Sequence, residues 1–269
     1  MKTRIISGII MGVLVAAVFA LGFLWEPIII SIAVSALAAV AVCEILHNAA
    51  GIKDIQSVVG ACFFAFLITM QGYVTKDFKQ SLVVIFLISV VYSIYAVIMV
   101  LKNHGKFGLG RIMSLFSVPI IYGAAFSCLE GIVTSSNGIY YLLLLLNFSS
   151  VCDMGAYFVG VTLGKHKLCP RISPKKTVEG AIGGILASVV VTFILSYYFD
   201  KPMQIMLLVT IPFCILGMLG DLFASAIKRA VDVKDFGTLI PGHGGVMDRL
   251  DSIIMIAPAM YALILLSVI

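Results

Sequence analysis

Apolar runs of about twenty residues follow one another along almost the whole chain, and this pattern constrains the fold more than any other feature. A helix of ~20 apolar residues spans the hydrocarbon core of a bilayer. Hydrophobic residues make up 61% of the chain and the mean hydropathy is +1.14, whereas a soluble domain is usually ~45–50% apolar. The sequence therefore predicts an all-α, polytopic integral membrane protein.

Nine candidate spans can be counted, and the basic residues between them indicate their orientation. The first apolar run lacks a small-x-small cleavage site followed by polar sequence, so we interpret it as a retained span rather than a signal peptide. A cytoplasmic N-terminus places fifteen of the eighteen Lys and Arg residues on the cytoplasmic side, as the positive-inside rule requires. We predict a multi-pass protein of the cell (inner or plasma) membrane. Its spans lie near 4–24, 27–46, 56–74, 81–101, 112–133, 139–163, 181–199, 203–227 and 252–269.

The two halves of the chain differ in how many chemically functional residues they carry. Residues 1–135 have little motif content, and we expect their helices to form a lipid-facing scaffold. Residues 136–269 carry the motifs, and both halves are expected to form one continuous membrane domain. Glu44, at the end of the second span, is either a buried polar partner or a residue at the membrane interface. Its place at the end of an apolar run favours the interface.

A highly charged stretch, SAIKRAVDVKDFGTLIPGHGGVMDRLD, occupies Ser225 to Asp251. Charged residues are only 12% of the chain, yet nine of them fall in this stretch or just before it, at Asp221. A solvated loop between two membrane helices is one explanation for such a run. It does not explain why acids and bases alternate so closely, or why four glycines surround His243. We therefore interpret the stretch as a functional site.

Two predicted helices carry a polar face. Asp153 lies inside apolar sequence, and Asp153, Tyr157, Gly160 and Gly164 fall at i, i+4, i+7 and i+11, which puts them on one helix face. An intramembrane carboxylate is unfavourable and indicates function by default. A hydrogen bond within the helix bundle is the alternative explanation for it.

The same spacing recurs in the eighth span. Asp221, Ser225, Lys228 and Asp232 also fall at i, i+4, i+7 and i+11. The pattern predicts a polar stripe that runs down one helix face into the charged stretch.

The most basic segment of the chain, KHKLCPRISPKKTVEG, follows the sixth span. A helix that starts here would direct free backbone N–H groups towards the segment, where anions bind well. Lys175 and Lys176 add positive charge and Thr177 adds a hydroxyl, so the segment predicts a polyphosphate ligand. It is not a Walker loop, because GxxxxGK[ST] is absent. Positive-inside bias alone would explain the lysines but not the Ser-Pro and Thr-x-Glu placement.

The acidic residues of the second half indicate a hard cation. Carboxylates on two helices, joined by a glycine-rich loop, can converge on one metal ion, and Mg²⁺ prefers one or two carboxylates together with substrate phosphates. The four histidines are scattered and the six cysteines have no CxxC spacing. A zinc site or a disulfide framework is therefore not expected.

The charged stretch resembles the signature of the phosphatidate cytidylyltransferase (CDP-diacylglycerol synthase) family. DMGAYFVGVTLGKHKLCPRISPKKTVEG is similar to a second block of that family, and the two blocks cover about residues 153–252. The N-terminal half resembles the family only in being apolar and helical. The positions that match the signature are Ser225, Lys228, Arg229, Lys234, Asp235, Gly237, Pro241, His243, Gly244, Gly245, Asp248, Arg249 and Asp251.

The resemblance implies Mg²⁺-dependent transfer of a cytidylyl group from CTP to phosphatidic acid, at a site open to the cytoplasm. Asp221, Asp248, Asp251 and Asp153 would bind the metal, and Asp221, Asp248, Lys228 and His243 would serve catalysis. The groups implied to meet the phosphates of CTP or of the lipid are Ser173, Lys175, Lys176, Thr177, Lys228, Arg229, Lys234, Gly244, Gly245 and Arg249.

Two other functions remain compatible with the residues themselves. A CTP-dependent lipid kinase of the dolichol-kinase type would transfer the γ-phosphoryl group instead. An ion-coupled transporter would use intramembrane acids such as Asp153 and Asp221 as ion sites. Membrane lipids are expected partners in each case, a nucleic acid is not, and a homodimer is an open possibility.

Overall fold

The computed structural model describes residues 12–13, 17–22, 25–75, 77–103, 106–242 and 244–269. It is predominantly helical, which confirms the all-α prediction. Two short π-helical segments interrupt or extend the α-helices. The α-helices are α1 (Ile28–Glu44), α2 (Ile55–Val74), α3 (Phe78–Lys102), α4 (Leu109–Val133), α5 (Gly138–Leu146), α6 (Cys152–Leu163), α7 (Val178–Tyr198), α8 (Met203–Ala230) and α9 (Met247–Leu265).

Seven helices of the described part are long and apolar enough to cross a membrane, and they correspond to the second to eighth predicted spans. The first predicted span, 4–24, falls mostly outside the described residues. The last predicted span corresponds to α9, which is not among these seven helices. Helix α9 carries Asp248, Arg249 and Asp251 among its first residues. The chain is a multi-pass membrane protein, and the count of nine spans stays a prediction.

The two π-helical segments each adjoin a carboxylate. Ile45–Ala49 continues α1 directly after Glu44, and Asn147–Val151 joins α5 to α6 just before Asp153. A π-helical turn contains more residues than an α-helical turn, so it changes the direction in which the following side chains point. In this chain Asn48 lies within the first segment, and the helix that carries Asp153 begins directly after the second.

The described residues form two compact units, and the first comprises those that fall within 1–134 and 231–250. Its helix α2 packs against α1, α3 and α4. Helix α2 begins where the carboxylate of Asp54 accepts hydrogen bonds from the hydroxyl (2.6 Å) and the N–H (2.9 Å) of Ser57, an N-cap that satisfies one free donor. These hydrogen bonds lower the pKa of the Asp54 carboxyl.

A second carboxylate, Glu130 in α4, is completely buried in the first unit. Its Oε1 accepts a hydrogen bond of 2.5 Å from the hydroxyl of Ser31, and its other oxygen packs against Gly72. No role was predicted for Glu130 from the sequence, although an acid within an apolar run is a signal that could have identified it.

The second unit comprises residues 135–230 and 251–269. Its helices α6 and α7 pack closely because small residues face each other. A Cβ atom on Gly155 would lie 2.7 Å from that of Ala187, and one on Gly184 would overlap the carbonyl oxygen of Cys152. Close contact between small residues is a common way for membrane helices to associate.

A two-stranded antiparallel hairpin connects α6 to α7, where we expected a helix start directly after an unstructured segment. Its strands are β1 (Lys167–Cys169) and β2 (Ser173–Thr177), with Lys167 paired to Thr177 and Cys169 to Ser173. Cys169 and Ser173 each precede a proline, which disfavours the helical conformation and favours an extended one. Helix α7 then begins at Val178, because the Thr177 hydroxyl accepts the Gly180 N–H at 3.1 Å.

The predicted polar stripe of the eighth span is shorter than expected. Helix α8 ends at Ala230, and Asp232 has a left-handed backbone conformation with φ 55°. The helical spacing therefore holds for Asp221, Ser225 and Lys228 but does not extend to Asp232. Asp and Asn tolerate this conformation better than most residues, so the helix can stop there without a glycine.

Candidate active site

A cavity of about 480 Å³ lies within the second unit, where α6, the hairpin, α7 and α8 meet. Its lining includes two carboxylates from different helices and four side chains of strand β2. Six residues predicted from the sequence line it, namely Asp153, Ser173, Lys175, Lys176, Thr177 and Asp221. Tyr157 and Gly160 of the predicted α6 face also line it, whereas Gly164 packs against Thr177.

Lys176 and Asp221 form an ion pair beside this cavity. Each side chain is about a quarter exposed, at 24% and 28%, so water screens their attraction only in part. The charge of Lys176 also acts on Asp153, and Asp153 and Asp221 repel each other. The Lys176 ammonium group therefore offsets the repulsion between the Asp153 and Asp221 carboxylates, which would otherwise destabilise the fold around the cavity.

Asp251 belongs to the same electrostatic cluster. The negative charges of Asp221 and Asp153 and the positive charge of Lys228 all act on its carboxylate. Helices α8 and α9 are close there, because a Cβ atom on Gly220 would lie 2.8 Å from the carbonyl oxygen of Asp251. The second unit thus combines three acids with two lysines.

The described residues contain no ready-made group of three His, Cys, Asp or Glu side chains that could hold a metal ion. Asp153 and Asp221 nevertheless line one cavity, and their carboxylate oxygens are the type of ligand that Mg²⁺ prefers. Mg²⁺ commonly takes one or two carboxylates and completes its coordination with water and substrate phosphates. The acids of the second unit fit that pattern better than they fit an all-protein metal cage.

The N-terminus of α7 offers fewer free donors than the sequence suggested. The Val178 N–H donates to the carbonyl of His166 at 2.9 Å, and the Gly180 N–H donates to Thr177. The Glu179 carboxylate accepts the Lys165 and His166 N–H groups and contacts the His166 ring at 2.5 Å. Phosphate would therefore meet mainly the side chains of β2 here.

The glycine-rich part of the signature forms a tight turn in the first unit. Ile240 and Gly244 exchange backbone hydrogen bonds of 2.8 and 3.1 Å. Gly242 and Gly244 have φ values of 79° and 86°, a region that residues with a Cβ rarely adopt. His243 lies outside the described residues, so its predicted role stays a prediction.

Asp248 joins the two ends of this signature loop, which we define as residues 234–247. Its Oδ2 accepts the N–H of Phe236 at 2.8 Å and that of Gly245 at 3.0 Å. In this structure Asp248 thus orders the loop, and its predicted role as a metal ligand stays a prediction.

Lys234 and Arg249 are exposed and line a second cavity of about 470 Å³, together with Asp235, Thr238 and Gly244. Arg229 is exposed at the end of α8 in the other unit. The predicted site residues that the structure describes thus fall into two groups, one in each unit, and some members of each group line a cavity that includes basic side chains.

Glu44 corrects an expectation of the sequence analysis. Of the two explanations, the structure supports the buried polar partner: Glu44 is 7% exposed, and its two carboxylate oxygens accept the N–H groups of Val246 and Met247, each at 3.0 Å. These partners lie about two hundred residues further along the chain, so spacing could not reveal them. The only signal in the sequence was an acid at the end of an apolar span.

Comparison with known proteins identifies relatives over nearly the whole chain. A sequence profile of the cytidylyltransferase family matches residues 2–267. The phosphatidate cytidylyltransferase of Staphylococcus haemolyticus is 34% identical over 232 residues, which is 85% of this chain and 87% of the relative. Two further phosphatidate cytidylyltransferases match over shorter stretches. The one from Staphylococcus epidermidis is 45% identical over 134 residues, which is 49% of this chain and 52% of the relative. The one from Staphylococcus aureus is 43% identical over 136 residues, which is 50% of this chain and 52% of the relative.

Proposed function

We propose that this chain, which belongs to the cytidylyltransferase family, transfers a cytidylyl group from CTP to phosphatidic acid and releases CDP-diacylglycerol and pyrophosphate. The observation that carries the proposal is the cavity of the second unit, where Asp153 and Asp221 face the lysines of strand β2. Carboxylates beside lysines suit a ligand that combines phosphates with a divalent cation. The names of the relatives and the signature supply the substrate class.

The reaction forms one bond and breaks one bond at the α-phosphorus of CTP. An oxygen of the lipid phosphate attacks this phosphorus, and the bond to the oxygen that bridges to the β-phosphate breaks, so that pyrophosphate leaves with that electron pair. The attacking oxygen is already ionised near neutral pH, since a phosphate monoester has a second pKa of ~6. The protein therefore mainly positions the substrates and neutralises charge.

The side chains of β2 are assigned to the triphosphate. Lys175 and Lys176 would offset the charge of the leaving pyrophosphate, and Ser173 and Thr177 would donate or accept hydrogen bonds beside them. Lys176 already interacts with both carboxylates of the cavity. When a substrate enters, Lys176 can therefore exchange its ion pair with Asp221 for an ion pair with a phosphate.

Asp221 and Asp153 would hold Mg²⁺ in the cavity, with Asp251 of the same unit as a further ligand. A bound magnesium ion neutralises phosphate charge and fixes the orientation of the triphosphate. In the absence of substrate, the chain's own residues balance the same acids with Lys176 and Lys228.

The basic residues at and near the signature loop are assigned to the remaining phosphate oxygens. Lys234 and Arg249 would contact phosphates in the first unit, and Lys228 and Arg229 would do so in the second. His243 would donate a hydrogen bond. We place these groups at the cytoplasmic face of the membrane, because CTP is water-soluble and basic residues concentrate on that side in the predicted topology.

Labelled CTP distinguishes the three candidate functions in one experiment. Purified protein in phosphatidate-containing micelles is incubated with CTP that carries label at either the α- or the γ-phosphate. Cytidylyl transfer predicts α-label in the lipid product and γ-label in pyrophosphate. Label from the γ-phosphate in lipid would instead indicate a kinase, and label from neither would contradict both enzymatic functions and leave transport.

A further inference from the structure

Glu44 is a buried carboxylate to which the proposed reaction assigns no role. It ends α1, far from the signature in sequence, yet its oxygens accept the N–H groups of Val246 and Met247 at 3.0 Å. These two donors lie at the start of α9, where backbone N–H groups have no partner within the helix. A negative charge is also favourable at a helix N-terminus. Glu44 thus caps the helix that follows the signature loop.

Two glycines of the loop provide the space that Glu44 occupies. A Cβ atom on either Gly237 or Gly245 would overlap the Glu44 side chain, and the three nearest heavy atoms in both cases belong to that side chain. Neither glycine has a positive φ, in contrast to Gly242 and Gly244. The approach of Glu44, not the backbone conformation, therefore requires glycine at these two positions.

Asn48 makes a second contact one turn further along. Its Nδ2 donates to the carbonyl oxygen of Phe236 at 2.6 Å. The Phe236 side chain is fully buried, and its N–H donates to Asp248. Glu44 and Asn48 therefore contact the loop at both of its ends, near Phe236 and at Val246–Met247.

We propose that Glu44, assisted by Asn48, is a positioning residue that fixes the signature loop so that Lys234 and Arg249 are held ready to bind substrate phosphate. Glu44 does not line the cavity that contains these two residues, so it acts through the loop. This inference rests on the proposed function, and it gives the N-terminal half of the chain a part in forming the site.

The first test separates positioning from a general loss of stability. Glu44→Ala should raise the KM for CTP, for phosphatidate or for both about tenfold or more, because a mobile loop no longer presents its basic side chains and a charged phosphate contact is worth about that factor. Glu44→Gln keeps an oxygen acceptor and should raise the KM less. Glu130→Gln, the matched control, changes a buried carboxylate of the same unit that contacts Ser31 and Gly72, and should leave the KM unchanged. A loss of folded enzyme would lower the apparent kcat alone, so unchanged KM values for both CTP and phosphatidate in Glu44→Ala would refute the proposal.

The second test uses the steric relation between Glu44 and Gly245. Gly245→Ala should impair the enzyme in the native background, since the new methyl group would overlap the carboxylate. In a Glu44→Ala background the overlap is absent, and adding Gly245→Ala should cause little further loss. Fully additive effects of the two substitutions would contradict the assignment.

A third measurement does not depend on activity. In a full-length variant without the native cysteines, Val246→Cys introduces a thiol at a position that is only 6% exposed. N-ethylmaleimide should modify it slowly when Glu44 is present and at least tenfold faster in combination with Glu44→Ala. Equal rates would refute the positioning role, whereas failure of the native enzyme in the labelled-CTP assay would refute the proposed reaction and leave this result intact.

Discussion

Replacing Lys176 by alanine tests the assignment of strand β2 to the triphosphate. A charge-assisted hydrogen bond to a phosphate is worth ~1.5–3 kcal/mol. To reach the phosphate, Lys176 gives up its ion pair with Asp221, in which both side chains are about a quarter exposed. Pairs that water partly screens contribute up to about 1 kcal/mol. The net loss is then roughly 0.5–3 kcal/mol, which corresponds to a rise of about 2- to 160-fold in the KM for CTP.

The assay varies CTP at saturating phosphatidate, and phosphatidate at saturating CTP, in mixed micelles. Lys176→Ala should raise the KM for CTP more than that for phosphatidate. Lys79→Ala, which removes a lysine at the start of α3 in the other unit, is the matched control and should change neither. An effect of Lys176→Ala confined to the lipid's KM would show that the basic clusters are assigned to the wrong substrates.

Three further predictions concern the acids, the topology and the histidine. Asp221→Asn and Asp248→Asn should abolish turnover while the protein remains folded, because asparagine keeps the shape but not the charge; near-normal activity at saturating Mg²⁺ would remove that residue from the metal site. Cysteines at Lys167 and Thr238, in a variant without native cysteines, should react in intact cells only with membrane-permeant reagents, and labelling by an impermeant reagent would reverse the orientation. His243→Gln should retain more activity than His243→Ala, because glutamine still donates a hydrogen bond. Equal losses of ~10³-fold or more, with disappearance of the acid limb of the pH profile, would instead identify His243 as a general base.

The helices that the sequence predicted well depend on nearby residues. Helix α2 was expected at 56–74 and spans Ile55–Val74, because an apolar run of that length has only the helix as a way to satisfy its backbone in a bilayer. Asp153, Lys176 and Asp221 were singled out as an intramembrane acid, part of a basic segment and part of a polar stripe, and all three line one cavity, while their roles stay predictions. Each of these signals can be read within one helix or one connection.

The features that were missed depend on contacts between distant parts of the chain or on local backbone details. Glu44 has its partners in the signature loop, and no periodicity links an acid to two backbone N–H groups so far away. The β-hairpin was missed because its short strands lie in a strongly basic segment, where the prolines were the only structural signal. Asp232 was placed on a helix face because nothing in its spacing shows that α8 ends at Ala230.

The hydrogen bonds of the signature loop change how its glycines are best understood. A glycine-rich turn before a helix usually suggests backbone donors that are free to bind phosphate. Here the Gly244 N–H donates to Ile240, the Gly245 N–H to Asp248, and the next two N–H groups to Glu44. A phosphate at this loop would have to displace two carboxylates to reach those donors, and the buried Glu44 and the partly buried Asp248 would then lose charge-assisted hydrogen bonds. Anion binding in the first unit should therefore depend on Lys234 and Arg249, with the glycines serving to bring Glu44 and Asp248 close to the backbone.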